Sequence, residues 1–259
     1  MQKQQKHSSL RSISKQVVSF TCILFLFFAF SSFSVIRVKT VSFTSEDGLR
    51  VTADEYIIEP DNPYILLFHE QGSSRGEFSS IARRLCKMDY NCLAVDLRNG
   101  GNSNFVSNQT TKEFNKSKLE SGFNEIELDM LAAINYASEK SKIPQVLFGS
   151  GVNGSVCLKV ALTNENVRAV VALSPGEYFL PEIKIQDTIA PLQKPVFISS
   201  SKVEYPYVSE LASGIDENYI TLFKPKQGPG YRGTASLSLD YEQNTEYWIA
   251  LIRFFKNLV

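Results

Sequence analysis

The chain has 259 residues, 27 basic and 27 acidic side chains for a formal net charge of zero, and 43% hydrophobic residues. That length suits one sizeable α/β domain. The balanced charge excludes a general binder of nucleic acid or of anionic surfaces. Four cysteines set in apolar stretches do not make a disulfide framework.

The N-terminus comes first. Lys3, Lys6, Arg11 and Lys15 precede an apolar run over 17–36, and no acidic residue occurs before Glu46. A basic flank followed by an apolar run directs a chain to a membrane, with the basic end left in the cytoplasm. The run is just long enough to span a bilayer. Ser31, Ser32 and Ser34 give its second half the composition of a cleavage region. Residues 1–36 are therefore expected to be a signal peptide or an uncleaved membrane anchor. Either one places a folded domain over 37–259 outside the cytoplasm, membrane-tethered or secreted.

Beyond this segment, apolar runs and amphipathic stretches alternate. Residues 38–45 and 51–58 flank an Asp47-Gly48 turn and predict a hairpin. Short apolar runs follow at 64–68, 92–96, 145–149, 169–173, 195–199 and 219–223. Runs this short, without alternation, predict strands buried on both faces, hence a parallel sheet. Helices are predicted between them at 78–87, 124–140, 154–163, 208–213 and 245–259. In 124–140, Ile126, Met130, Ala133, Ile134 and Ala137 share one face. The alternation predicts a doubly wound sheet of about eight strands with helices on both faces. The polar stretch 99–123 reads as a solvated loop or a flap over a pocket at the carboxyl edge. Residues 177–194 are too few for a large lid.

One turn carries most of the functional information. Gln145-Val146-Leu147-Phe148-Gly149-Ser150-Gly151-Val152-Asn153-Gly154 runs from an apolar strand to a helix through a small-x-nucleophile-x-small turn. The residues two before and two after the nucleophile must be small. Centred on Gly151 they are Gly149 and Asn153; centred on Ser150 they would be Phe148 and Val152, which should clash. The register therefore puts Gly151 where a nucleophile would stand.

The order of further motifs resembles the α/β hydrolases, in particular small dienelactone-hydrolase-like and esterase-like members. The resemblance rests on Leu66-Leu67-Phe68-His69-Glu70-Gln71-Gly72, Ala94-Val95-Asp96-Leu97-Arg98-Asn99-Gly100-Gly101, Leu173-Ser174-Pro175-Gly176-Glu177-Tyr178, Pro195–Ser199 and Gly228-Pro229-Gly230-Tyr231-Arg232-Gly233-Thr234. It implies an α/β-hydrolase fold with the acid position at Glu204, the base position at Arg232 and the nucleophile position at Gly151. It also implies that His69, Glu70, Gln71, Ser150 and Val152 border the pocket, with one oxyanion-hole amide from the 66–72 stretch. A glycine forms no acyl-enzyme, and arginine stays protonated and cannot act as a general base. An Arg232–Glu204 ion pair is expected in place of an acid–base pair. These changes point to a pseudo-hydrolase that keeps a pocket for a small molecule or a partner.

The alternative is an active hydrolase of esters, lactones or peptides built on His69, one of only two histidines. A carboxylate at Glu70, if it turned inward, would oppose oxyanion stabilisation. No metal-ligand spacing, P-loop or dinucleotide fingerprint occurs, so no metal or cofactor is expected. The cysteines are expected to be buried thiols, with a Cys86–Cys92 bridge as the alternative.

Overall fold

A computed structural model describes residues 35–120 and 122–258. The targeting segment expected over 1–36 lies, up to Ser34, outside the described residues, as does Cys22. Among the described residues no helix is long and apolar enough to cross a membrane.

Residues from Ile36 onward form one compact unit. Its sheet has eight strands: β1 (Arg37–Thr44), β2 (Arg50–Ile57), β3 (Tyr64–Phe68), β4 (Asn91–Val95), β5 (Gln145–Ser150), β6 (Val167–Leu173), β7 (Val196–Ser199) and β8 (Ile220–Phe223). They lie in the order β1-β2-β4-β3-β5-β6-β7-β8. β1 and β2 pair antiparallel through the Asp47-Gly48 turn, and β2 pairs antiparallel with β4. From β4 to β8 every pairing is parallel. Every residue of β3, β4, β5 and β7 is buried, as unalternating apolar runs require of strands covered on both faces.

The helices are α1 (Ser79–Cys86), α2 (Gln109–Phe114), α3 (Phe123–Lys140), α4 (Val152–Val160), α5 (Ile185–Ile189), α6 (Tyr205–Leu211) and α7 (Asn244–Lys256). One core joins α3 and α4 to the sheet through Ile126, Met130, Ile134 and Val156. The other packs α1 and α7 on the opposite face through Ile81, Leu85, Trp248, Leu251 and Phe255. Cys86, Cys92 and Cys157 are buried free thiols, which settles the alternative in favour of unbridged cysteines.

Two departures from the sequence pattern matter for the site. The stretch 99–123 is neither featureless nor loose: it contains a ribbon of Asn102–Ser103 against Val106–Ser107 and the helix α2. It is fixed at Arg98, whose guanidinium is fully buried and grips both oxygens of Asp129 on α3, while reaching Asp47 in the β1–β2 turn and the Glu120 carbonyl. Asp129 sits on the buried face of α3; burial pulls its carboxyl above the usual range, against the opposing pull of Arg98. The second departure is at the strand–helix turn. Strand β5 runs to Ser150 and α4 begins at Val152, so the helix starts earlier than 154 and Gly151 alone makes the turn.

Candidate functional site at the strand switch point

The chain passes from β3 outward to β4 and then returns to lay β5 on the other side of β3. Such a reversal opens a crevice at the carboxyl ends of the two strands. Phe68 and Gly149 are paired neighbours there, so the residues that follow them, His69-Glu70 and Ser150-Gly151, converge.

Gly151 has φ +55 and ψ −124. This conformation is open to glycine and strained for any residue with a Cβ. Its N–H bonds to the Leu173 carbonyl at 2.8 Å. Gly149 answers a different need: a Cβ there would stand 2.7 Å from the Asn153 carbonyl oxygen and from Cys157 Sγ, so the strand and α4 could not pack as closely.

The space over Gly151 is filled by Glu70. A Cβ added at Gly151 would land on the Glu70 carboxylate. Glu70 Oε2 accepts from Ser150 Oγ at 3.3 Å, and Oε1 lies 3.3 Å from Arg232 Nη2. Glu204, at the start of α6, faces Arg232 Nη1 at 3.5 Å. Arg232 Nη2 also donates to Tyr178 Oη at 3.1 Å. One guanidinium therefore ties the segments after β3, β6 and β7 together. Arg232 is half exposed, with 51% of its side chain accessible, so these pairs are partly screened.

Glu204 is further fixed by three donors on Oε2: Ser174 Oγ at 2.9 Å, Ser201 Oγ at 2.8 Å and Ser201 N at 3.1 Å. Ser174 Oγ in turn accepts from Gly233 N at 3.0 Å, and Ser174 holds φ +52. Arg232 and its neighbour Gly233 are thus joined to Glu204 by a continuous polar network.

His69 is wholly buried beneath this layer. Its Nε2 accepts from Leu97 N at 2.9 Å, and its Nδ1 donates to the Glu70 carbonyl at 2.8 Å. Burial pushes its pKa below the ordinary 6.5, so the ring is neutral. Both nitrogens are spent on main chain. The Glu70 segment is held from several other directions: Glu70 N donates to Glu77 Oε2 at 3.1 Å, Gly72 N to the Asn99 carbonyl at 2.9 Å, and Asn153 Nδ2 to the His69 carbonyl. Glu77 also accepts from Thr234 Oγ1 at 2.6 Å, tying the Glu70 segment to the segment that carries Arg232.

A cleft of about 510 Å³ opens beside this network. Gln71, Val152, Tyr178 and Phe123 are among its walls. Of the five residues expected to border the pocket, Gln71 and Val152 line this cleft, whereas His69, Glu70 and Ser150 do not: His69 and Ser150 are wholly buried, and Glu70 is turned onto Gly151. Sequence reasoning missed Tyr178 as a partner of Arg232, although it stands in the quoted Ser-Pro-Gly-Glu-Tyr stretch. It missed Glu77 and gave no role to Thr234, the last residue of the quoted 228–234 stretch; a glutamate and a threonine 157 residues apart carry no local signal for each other. Among the described residues no group of three or more His, Cys, Asp or Glu side chains could hold a metal ion.

No protein-family model and no curated protein matches the chain. Solved structures do. An esterase from Pyrococcus furiosus superposes with a TM-score of 0.68 at 19% identity, covering 86% of this chain and 93% of that one. A dienelactone hydrolase from Anabaena variabilis gives 0.61 at 14%, covering 85% and 95%. A dienelactone hydrolase-like promiscuous phosphotriesterase from metagenomic libraries gives 0.62 at 16%, covering 86% and 98%. With its switch point, its eight-stranded mixed sheet and these neighbours, the chain carries the α/β-hydrolase fold.

Proposed function

We propose that this protein is a pseudo-hydrolase: an α/β-hydrolase domain without serine-hydrolase turnover that keeps a cleft for a small-molecule ligand. The observation that carries the reading is the Glu70 carboxylate filling the space over Gly151. The turn has no nucleophile, and the place a nucleophile would occupy holds a negative charge. A second anion developing there, as acyl transfer requires, would be repelled rather than stabilised. The base position is Arg232, which cannot accept a proton, and its guanidinium instead bridges Glu70 and Glu204. A displaced site on His69 finds no support in the geometry, since a base needs a nitrogen free to reach its proton. The ligand class we favour is the carboxylic esters and lactones, by analogy with the esterase and dienelactone hydrolase of the same fold. The basic flank and apolar run of residues 1–36 support a signal peptide or anchor with this domain outside the cytoplasm.

The test is labelling of the purified protein with a fluorophosphonate probe beside the Pyrococcus furiosus esterase. The expected result is labelling of the esterase and none of this chain. Labelling of the chain at any serine would overturn the reading.

A further inference from the structure

Among the described residues the last strand of the sheet, β8, pairs only with β7, and its outer main-chain edge has no strand partner. Between that edge and α7 runs a groove of about 560 Å³. Its floor is apolar, from Phe223 and Phe254, and Ile249 stands in it with 46% of its surface exposed. Its rim is basic. Lys224, Lys226 and Arg253 line it, and no described carboxylate pairs with any of the three; Lys224 rests only on the Tyr205 ring at 4.6 Å. The single acid in the groove, Glu246, already uses both oxygens to accept the main-chain N–H groups of Lys226 and Gln227 at 2.8 and 3.1 Å.

We infer that this edge is a docking site for an extended acidic segment of a partner protein, which adds a strand beside β8. Main-chain pairing supplies the affinity in such an addition, and alternate side chains supply the specificity. Here apolar side chains on the α7-facing side of the added strand meet the floor, while carboxylates along the rim of the same groove meet the three cations. The same charges disfavour a second copy of this chain. Self-association through one patch sets like against like, so three unpaired cations would face three more. Lysines on an exposed edge also keep sheets from joining. That defence does not account for an open apolar groove beside the edge with Ile249 left bare.

The test uses the full-length chain in mild detergent and a fluorescein-labelled, capped hexapeptide of alternating valine and glutamate. Fluorescence anisotropy is expected to show saturable binding that weakens at least about tenfold between about 50 and 500 mM salt. Lys224→Glu with Arg253→Glu should abolish it, Lys224→Gln with Arg253→Gln should weaken it at least about fivefold, and Ile249→Ser should weaken it independently of salt. All of these side chains are exposed, and an unchanged thermal midpoint verifies each variant's fold. Equal binding of a valine–lysine peptide, no binding of either peptide, or dimerisation of the chain through β8 would each overturn the inference.

Discussion

The Glu70 carboxylate and the Gly151 main chain exclude a side chain from the same volume. A side chain at 151 requires Glu70 to move, and it must also adopt φ +55. Introducing Gly151→Ala should therefore destabilise the protein by about 1–3 kcal/mol, from left-handed strain and displacement of the carboxylate. In a Glu70→Ala background the penalty should shrink to the strain alone. Urea unfolding of the four-member cycle measures the coupling, which should exceed about 0.5 kcal/mol.

The same relationship bears on attempts to introduce serine-hydrolase catalysis. Gly151→Ser with Arg232→His places a serine and a histidine at the positions proposed for nucleophile and base but leaves Glu70 in the way. That double variant should remain unlabelled by a fluorophosphonate, and weak labelling should require Glu70→Ala in addition. Labelling of the double variant would show that Glu70 does not obstruct the site.

Arg232 and Glu204 should differ in weight although they face each other. Arg232 is half exposed and its ion pairs are long, so Arg232→Ala should cost under about 1 kcal/mol. Glu204 accepts three hydrogen bonds from Ser174 and Ser201, so Glu204→Ala should cost about 1–3 kcal/mol. Denaturant midpoints with unchanged slopes would verify the ranking.

His69 predicts a pH dependence. The folded state keeps the ring neutral below its ordinary pKa of 6.5, because burial opposes the charge. The unfolded chain takes up that proton as the pH falls through 6.5. Stability is therefore full above that pH and declines below it, by up to about 1.4 kcal/mol per pH unit. Unfolding free energies between pH 7.5 and 5.5 should show the slope, and His69→Asn should flatten it.

A gain in stability is expected at Phe105. It sits at the tip of the short ribbon with φ +62, after Asn104 at φ +48, and its side chain is fully exposed. A bulky residue in the left-handed region is strained, and here no burial offsets the strain. Phe105→Gly should raise stability by about 0.5–1 kcal/mol, read from the thermal midpoint.

The fold was legible because it rests on periodicity. The unalternating strands and the face of α3 built on Ile126, Met130, Ile134 and Ala137 both follow from local patterns. Asp129, on that buried face, breaks the pattern, and only Arg98 explains it. Arg98 lies 31 residues away and is joined to Asp129 by the winding of the sheet. The site divides in the same way. The glycine turn at 149–154 is a contiguous motif and could be read directly. Whether Glu70 points inward could not, because its direction is set by Ser150 and Arg232, 80 and 162 residues away. Helix α5 and the ribbon at 102–107 were missed because elements of five and two residues are too short to show a period.

The brace at Arg98 also orders the folding reaction. Its partners Asp47 and Asp129 lie 51 residues before it and 31 after it. Closing such long loops is entropically unfavourable until other contacts hold their ends together. The brace is therefore expected to form late, after the shorter-range β1–β2 and β3–β4 pairings. Arg98→Ala should leave the folding rate nearly unchanged and speed unfolding, with most of a loss of about 3–5 kcal/mol appearing in the unfolding limb.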